Sequence, residues 1–246
     1  PRGGKRGIGR DRADGSPANI QASCGLRQSC VAKGESVFDI HCHILNGVDD
    51  GSRTPAESHQ MLLAARDAGI DHIVCTPHCK HSDFDAELIA KRYRAFKMHA
   101  EKNGVRLSLG YEVHWKKLAD MGLDTAPSLC IEGTNLLLLE FSNSHLPANW
   151  QRAIYTIQGK GVDTVIAHPE RYKPVQEDLD VAREMREMGC RLQLSANFVE
   201  GGVFNPRRRT ATALLKNGLV DYLASDAHRV EHYATYLKAL KEAQKY

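Results

Sequence analysis

Along the chain, apolar positions collect into short runs separated by stretches of helical spacing. The runs lie at 36–41 (SVFDIH), 71–76 (DHIVCT), 105–111 (VRLSLGY), 135–141 (NLLLLEF), 162–168 (VDTVIAH), 190–196 (CRLQLSA) and 220–225 (VDYLAS). They are β-branched or continuously apolar, as strands covered on both faces must be. Helical patterns fill most of the intervals, at 84–103, 147–160, 175–189, 206–217 and 230–244. The clearest begins at Thr54, with Thr54 as N-cap, Pro55 in the first turn, Glu57 closing a capping box and Gly69 just past the end. Gly104, Gly161, Gly189 and Gly218 end the other helical stretches. The connection 113–134, which contains Pro127, is less regular. Seven strands with mostly helical crossovers predict a parallel α/β fold, first a closed seven-stranded (β/α) barrel and second an open doubly wound sheet. No GxGxxG or Walker glycine pattern follows any strand, which argues against a nucleotide-binding version.

Composition changes this picture little. With 246 residues, 42% of them hydrophobic and 26% charged, the chain suits one large globular domain. The net charge of +3 comes from the N-terminus. Residues 1–34 carry seven Lys/Arg against Asp11 and Asp14, a balance of +5, which leaves residues 35–246 at −2. A slightly acidic body argues against a nucleic-acid partner. Residues 1–35 read as a basic, disordered tail and 36–246 as the folded domain. No stretch predicts membrane insertion or a signal peptide, and the seven cysteines, without a CxxC pair, read as reduced thiols in a cytoplasm.

The chemistry lies at the strand ends, where parallel α/β folds gather their sites. Strand one ends on His41 and His43, with Asp49 and Asp50 beyond. The later strands run into His78, Glu112, Glu140, His168, the pair Ser195 and Asn197, and finally Asp226 with His228. A lone histidine there is ordinary. A carboxylate after four leucines, as at Glu140, is costly to bury without a partner. Together, His41, His43, Asp50, His78, Glu112, Glu140, His168, Asp226 and His228 make a nitrogen and oxygen donor set for two or three divalent ions, with Asp49 as the alternative to Asp50. Such donors suit Mn²⁺, with Fe²⁺, Co²⁺ or Zn²⁺ as alternatives; no thiolate joins them. Cys42 lies between two ligands, but strand alternation turns it away. No cysteine is followed six positions later by Arg (Cys30, Ser36, Val48, His81, Asp85, Leu136 and Ala196 stand there), so a cysteine phosphatase loop is absent. His81 and His114 fall near the presumed mouth. His59, His72, His99, His145 and His232 read as solvated, and Arg207, Arg208 and Arg209 as a solvated helix face.

The runs "DIHCHILNGVDDG", "TPH", "GYE", "LLLEF", "IAHPERY" and "ASDAH" resemble, in order and spacing, the PHP (polymerase and histidinol phosphatase) superfamily. Within it they look most like the bacterial manganese-dependent protein-tyrosine phosphatases of capsule and exopolysaccharide biosynthesis. The resemblance covers residues 37–229 and implies a distorted (β/α)7 barrel with three metals. It implies His41, His43, Glu112 and Asp226 around the first ion, Glu112 bridging to a second with Glu140 and His168, and Asp50, His78 and His228 on the third. It implies Arg171 as the catalytic arginine that contacts substrate phosphate. A further family arginine falls at Tyr233, which leaves Arg229 as the nearest substrate-binding candidate.

The expected function is metal-dependent hydrolysis of phosphotyrosine on a protein partner, the tail of a bacterial tyrosine kinase of polysaccharide biosynthesis. The alternatives are a small-molecule phosphatase of the histidinol-phosphatase type and a non-catalytic regulatory barrel. A PHP-type nuclease is disfavoured by the acidic body, and a homo-oligomer is left open.

Overall fold

The computed structural model describes residues 37–246, so the basic tail assigned to 1–35 lies outside the described residues. In chain order the elements are β1 (Phe38–Cys42), α1 (Pro55–Asp67), β2 (His72–Cys75), β3 (His78–Cys79), α2 (Ala86–Lys102), β4 (Arg106–Leu109), β5 (Glu112–His114), α3 (Trp115–Met121), β6 (Leu136–Glu140), α4 (Trp150–Gln158), β7 (Asp163–Ala167), α5 (Lys173–Glu177), α6 (Asp180–Glu187), β8 (Arg191–Ser195), α7 (Pro206–Lys216), β9 (Tyr222–Ala224) and α8 (His232–Ala243). All pairings are parallel. One sheet has the order β1-β2-β4, the other β3-β5-β6-β7-β8-β9.

Each of the seven predicted strands is present, and the second and third each continue past the predicted run, after a bend, into a further short strand, β3 and β5. The chain bends at Thr76–Pro77 and again at Gly110–Tyr111, and the bent strands stay in register through Gly110 N–H to Cys75 O (2.9 Å) and Glu112 N–H to Pro77 O (3.2 Å). Gly110 is needed at this bend because a Cβ there would sit 2.9 Å from Ile131 Cγ1 and 3.3 Å from Val74 Cγ1. At the other seam β1 meets the end of β9 through a parallel bridge between Cys42 and Ala227. Asp226 N–H donates there to His41 O, and His43 N–H to Ala227 O, both at 2.9 Å. The strand order therefore runs in a cycle, with its ladder interrupted where β4 passes into β5. The long predicted helix 175–189 is two helices: Asp178 is extended, and its carboxylate accepts the Asp180 N–H at 2.9 Å.

Alternation along the strands sorts the core into two parts. Leu137, Leu139, Ile166, Leu192, Leu194 and Leu223 pack outward in the main cluster, which also takes in buried helix residues such as Met61, Ile154 and Leu214. Ile40, Val74, Leu136, Leu138, Val165 and Ala224 form a smaller cluster. That second cluster draws on strands of both sheets, so the sheets enclose it. A bulge breaks the alternation in β1: the step from Asp39 to Cys42 faces the shorter step from Ile73 to Cys75 on β2. Bulges re-aim side chains beside active sites. Past the bulge Cys42 turns outward, away from His41 and His43 as expected, its Sγ 3.1 Å from the buried Tyr233 hydroxyl.

One polar group ties the β1–β9 seam. Asp39 is fully buried; Oδ1 accepts the Ser225 N–H at 2.9 Å and Oδ2 accepts the Ser225 hydroxyl. His72 corrects the expectation of a solvated histidine. It is buried at the start of β2, its Nε2 2.8 Å from Ser108 Oγ, because β4 covers the strand start. Burial, with the Arg106 charge, pushes its pKa down to about 4.

Two outcomes are expected. Asp39→Ala strands the Ser225 donors and lowers unfolding stability by roughly 1–3 kcal/mol in urea titration; an unchanged midpoint would leave the Cys42–Ala227 bridge as the tie. The unfolded chain protonates His72 near 6.5, whereas the folded chain resists until about 4, so stability is lost as pH falls through that window. His72→Gln should flatten the slope of stability against pH there.

Candidate metal centre

The proposed ligands come from the C-terminal ends of strands, the loops just beyond them and, for His78 and Glu112, the first residues of the short strands β3 and β5 that continue β2 and β4 past their bends; the cyclic strand order turns these ends toward one another. His41 and His43 lie on and just after β1, with Nε2 atoms 3.1 Å apart. Glu112, at the start of β5, lies between them and the rest: Oε2 is 3.3 Å from His41 Nε2, 3.4 Å from His43 Nε2 and 2.8 Å from His78 Nδ1, and Oε1 is 2.7 Å from His168 Nε2. Glu140, ending β6, has Oε1 3.9 Å from His168 Nε2. Asp226 Oδ1 is 3.5 Å from His41 Nε2, 3.6 Å from His43 Nε2 and 3.6 Å from His228 Nδ1. Asp50 Oδ1 is 3.3 Å from both His78 Nε2 and His228 Nε2. All nine residues converge.

Three groups have ligand atoms within 4.8 Å of one another: His41–His43–Glu112, His78–Glu112–Glu140, and His43–Asp50–His78–His228. Glu112 is shared between two of them, as the bridging role requires. His43 and His78 also fall into more than one group, so the nearest-neighbour grouping differs in detail from the set implied by the family resemblance.

The structure separates the two adjacent acids. Asp49 turns inward: Oδ2 is 2.7 Å from His43 Nδ1 and accepts the His78 N–H, while Oδ1 accepts the Gly51 N–H. Asp50, its side chain 71% exposed, faces His78 and His228 from outside. Gly51 explains the third letter of "DDG". A Cβ there would lie 2.2 Å from His43 O and 2.5 Å from His43 Cβ, so only glycine lets the loop pass against His43. Gln193 supports His41 in the way Asp49 supports His43, with Oε1 2.9 Å from His41 Nδ1. Such outer partners orient metal-binding imidazoles. Sequence reasoning missed both supports. Gln193 sits mid-strand in "RLQLS", where a buried amide among leucines was the available signal.

Among the described residues Arg171 and Lys80 meet the cage only at its edges, on Asp226 and Glu140. His41, His43, Glu112, His168 and Asp226 are buried. Glu112 Oε2, Glu140 Oε2, His78 Nδ1 and His168 Nδ1 are buried without a well-formed hydrogen bond. Burial disfavours protonated His43, yet Asp49 and Glu112 outweigh it and hold its pKa well above the imidazole range. Burial likewise opposes a charged His78, but Asp50 and Glu112 lift it to about 9. Burial and the neighbouring Glu112 charge push Glu140 up. The field of the carboxylates thus calls for positive charge at the point where the imidazole nitrogens converge. Nitrogen and oxygen donors, no thiolate and shared carboxylates fit a cluster of divalent cations. His168 and Asp226 also have left-handed backbones, φ 35° and 50°, a strain that side chains other than glycine carry where function holds them.

Arg171 closes one side of the cage. Its guanidinium contacts the Asp226 carboxylate and donates to Ser195 Oγ at 3.0 Å, and Ser195 Oγ donates to Asp226 Oδ2 at 3.0 Å. Its Nε–H is buried without a protein partner. Arg229 is engaged elsewhere: it donates to the carbonyls of Asp50, Gly51 and His228, and its Nε lies 3.7 Å from Glu57 Oε1. His81 lines the cavity beside the cage. His114 caps α3 through Nδ1, and His59 and His99 pair on the helices at 2.8 Å.

Residues 37–245 match the capsular polysaccharide synthesis family CpsB/CapC. CapC of Staphylococcus aureus is 31% identical over 211 residues, covering 83% of this chain and 82% of that protein. Tyrosine-protein phosphatase YwqE of Bacillus subtilis is 31% identical over 199 residues, covering 79% and 78%. A crystal structure from the pair YwqE of Bacillus subtilis and CpsB of Streptococcus pneumoniae, described as metal-dependent tyrosine phosphatases, superposes with a TM-score of 0.71 at 28% identity, covering 84% of this chain and 87% of that one. The chain belongs to the CpsB/CapC family of capsular polysaccharide synthesis.

Proposed function

We propose that this protein is a metal-dependent phosphatase that hydrolyses phosphotyrosine on a protein, with the tail of a tyrosine kinase of polysaccharide synthesis as substrate, in the cytoplasm. The observation that carries the reading is the convergence of five imidazoles and four carboxylates with Arg171 at their edge. Relatives named as tyrosine-protein phosphatases support the substrate class. Among the described residues no helix is long and apolar enough to cross a membrane.

In this reading His41, His43, Asp50, His78, Glu112, Glu140, His168, Asp226 and His228 hold two or three divalent ions, with Mn²⁺ as the proposed metal. Bound ions of this kind neutralise phosphoryl oxygens and bring the pKa of water toward about 7. Gln193 and Asp49 hold the imidazoles of His41 and His43 by their Nδ1 atoms, which keeps both Nε2 atoms aimed at the centre. Asp226 and Ser195 fix the Arg171 guanidinium. Its unpaired Nε–H is a donor of the kind a phosphoryl oxygen satisfies, and fixed geometry avoids reorganisation as charge develops. A phenolate leaves more readily than an alkoxide, which suits a centre where no protein acid is evident. Arg229, turned to backbone carbonyls, braces the Asp50–Gly51 loop.

Three outcomes test this. Chelated protein should lose activity on p-nitrophenyl phosphate and on a phosphotyrosine peptide, and regain it with Mn²⁺; activity that survives complete chelation would sink the metal mechanism. His43→Ala should lose both metal and turnover, whereas Arg171→Ala should keep its metal and lower kcat/KM. Asp49→Ala should weaken metal affinity by about 10- to 100-fold, read by Mn²⁺ titration, while Cys42→Ser keeps most of the activity.

A further inference from the structure

Beside the cage, the chain that follows β3 lines a cavity of about 510 Å³. Asp50 and His78 form part of its wall, and Lys80, His81 and Phe84 form another part. The proposed function uses the first two as ligands and leaves the others unassigned. A molecule in this cavity touches the cage through Asp50 and His78.

The unassigned wall has two chemical features. Lys80 stands two residues after His78, and its Nζ reaches to 3.5 Å from Glu140 Oε2. That oxygen is buried with no hydrogen bond. The Lys80 side chain is 35% exposed, so its charge sits at the border between cage and cavity. Phe84 supplies an aromatic side chain. It packs partly buried against the core, its ring edge-on to Tyr111 at 5.5 Å between centroids, which fixes its orientation. Of the two arginines near the cage, Arg171 comes from the β7 side and is held by Asp226 and Ser195. Arg229 is consumed by backbone carbonyls and Glu57. Lys80 is therefore the cation that faces the cavity from the β3 side.

We infer that Lys80 and Phe84 form the substrate wall of this centre: the Lys80 ammonium takes a phosphoryl oxygen, and the Phe84 ring packs on an aryl leaving group, so the cavity selects aryl over alkyl phosphate monoesters. The inference rests on the phosphatase reading and names the residues that choose the ester. An ammonium group is a compact point charge suited to phosphate oxygens. An aromatic side chain gains from offset or edge contact with a second ring beyond simple burial, and an alkyl ester cannot supply that contact.

The test uses full-length, metal-reconstituted wild type, Lys80→Met, Lys80→Arg and Phe84→Leu. Calorimetric titration with inorganic phosphate reads the Lys80 contact without turnover. Steady-state kinetics on a phosphotyrosine peptide and on glycerol 2-phosphate read the aryl preference. Lys80→Met should weaken phosphate binding and raise KM for both esters by about tenfold, with Lys80→Arg recovering most of the loss. Phe84→Leu should bind inorganic phosphate as wild type does, yet lower the aryl-to-alkyl ratio of kcat/KM by about three- to tenfold. Unchanged phosphate affinity in Lys80→Met overturns the Lys80 assignment. So does loss of bound metal from that variant, which would make Lys80 a partner of Glu140 alone. An unchanged ratio in Phe84→Leu overturns the Phe84 assignment. Wild-type protein that binds phosphate but hydrolyses neither ester overturns the phosphatase reading and leaves the Lys80 contact standing.

Discussion

The structure depends on the crowding of buried carboxylates and imidazoles at one rim of the strands, which Arg171 and Lys80 meet only at its edges. The Nε2 atoms of His41 and His43 lie 3.1 Å apart, and Glu112 Oε2 is within 3.4 Å of both. Carboxylates buried at such distances draw positive charge toward them, and they hold His43 and His78 well above the ordinary imidazole range, because a low-dielectric surround magnifies every unpaired charge. Much of the rest of the fold can be read as the means of holding these groups in place.

Three devices do the holding. The Asp39–Ser225 bonds and the Cys42–Ala227 bridge fasten the strand that carries His41 to the end of the last strand of the cycle. The Gly51 loop packs against the backbone of His43, so that Asp49 meets His43 Nδ1 from behind. The Asp226–Arg171–Ser195 group secures the opposite side, where His168 and Asp226 keep left-handed backbones. The first two devices sit one layer outside the proposed ligands, and the third holds one of them, Asp226, directly. The ligand geometry is thereby set by rigid surroundings rather than by the ligands themselves, which is the condition for pre-organised charge stabilisation.

The surroundings of the cage also divide the arginines by role. Tyr233 occupies the place where the PHP resemblance expects an arginine, and it is buried with its hydroxyl on Cys42. Arg229 lies close in sequence but spends its donors on the Asp50 and Gly51 carbonyls. In the proposed function Arg171 takes the phosphate on one side, and Lys80 lines the cavity on the other. The carboxylates Asp226 and Glu140 tie each of these cations to the cage.

The sequence by itself determined the seven strand positions, the parallel α/β class and the nine converging side chains. Apolar runs must be buried, and a charged residue ending such a run stands out against them. It also determined that Cys42 faces away, because alternation is local. Tertiary structure alone decided the continuation of strands two and three past a bend, since that bend depends on Ile131 and Val74 packing against Gly110. It turned Asp49 inward onto His43 and left Asp50 facing His78 and His228, a difference set only by which way a loop turns. It buried His72 under β4, and it recruited Gln193 from a strand 152 residues away in the chain. Those outcomes depend on contacts between segments distant in sequence, and no local pattern of hydrophobicity encodes them.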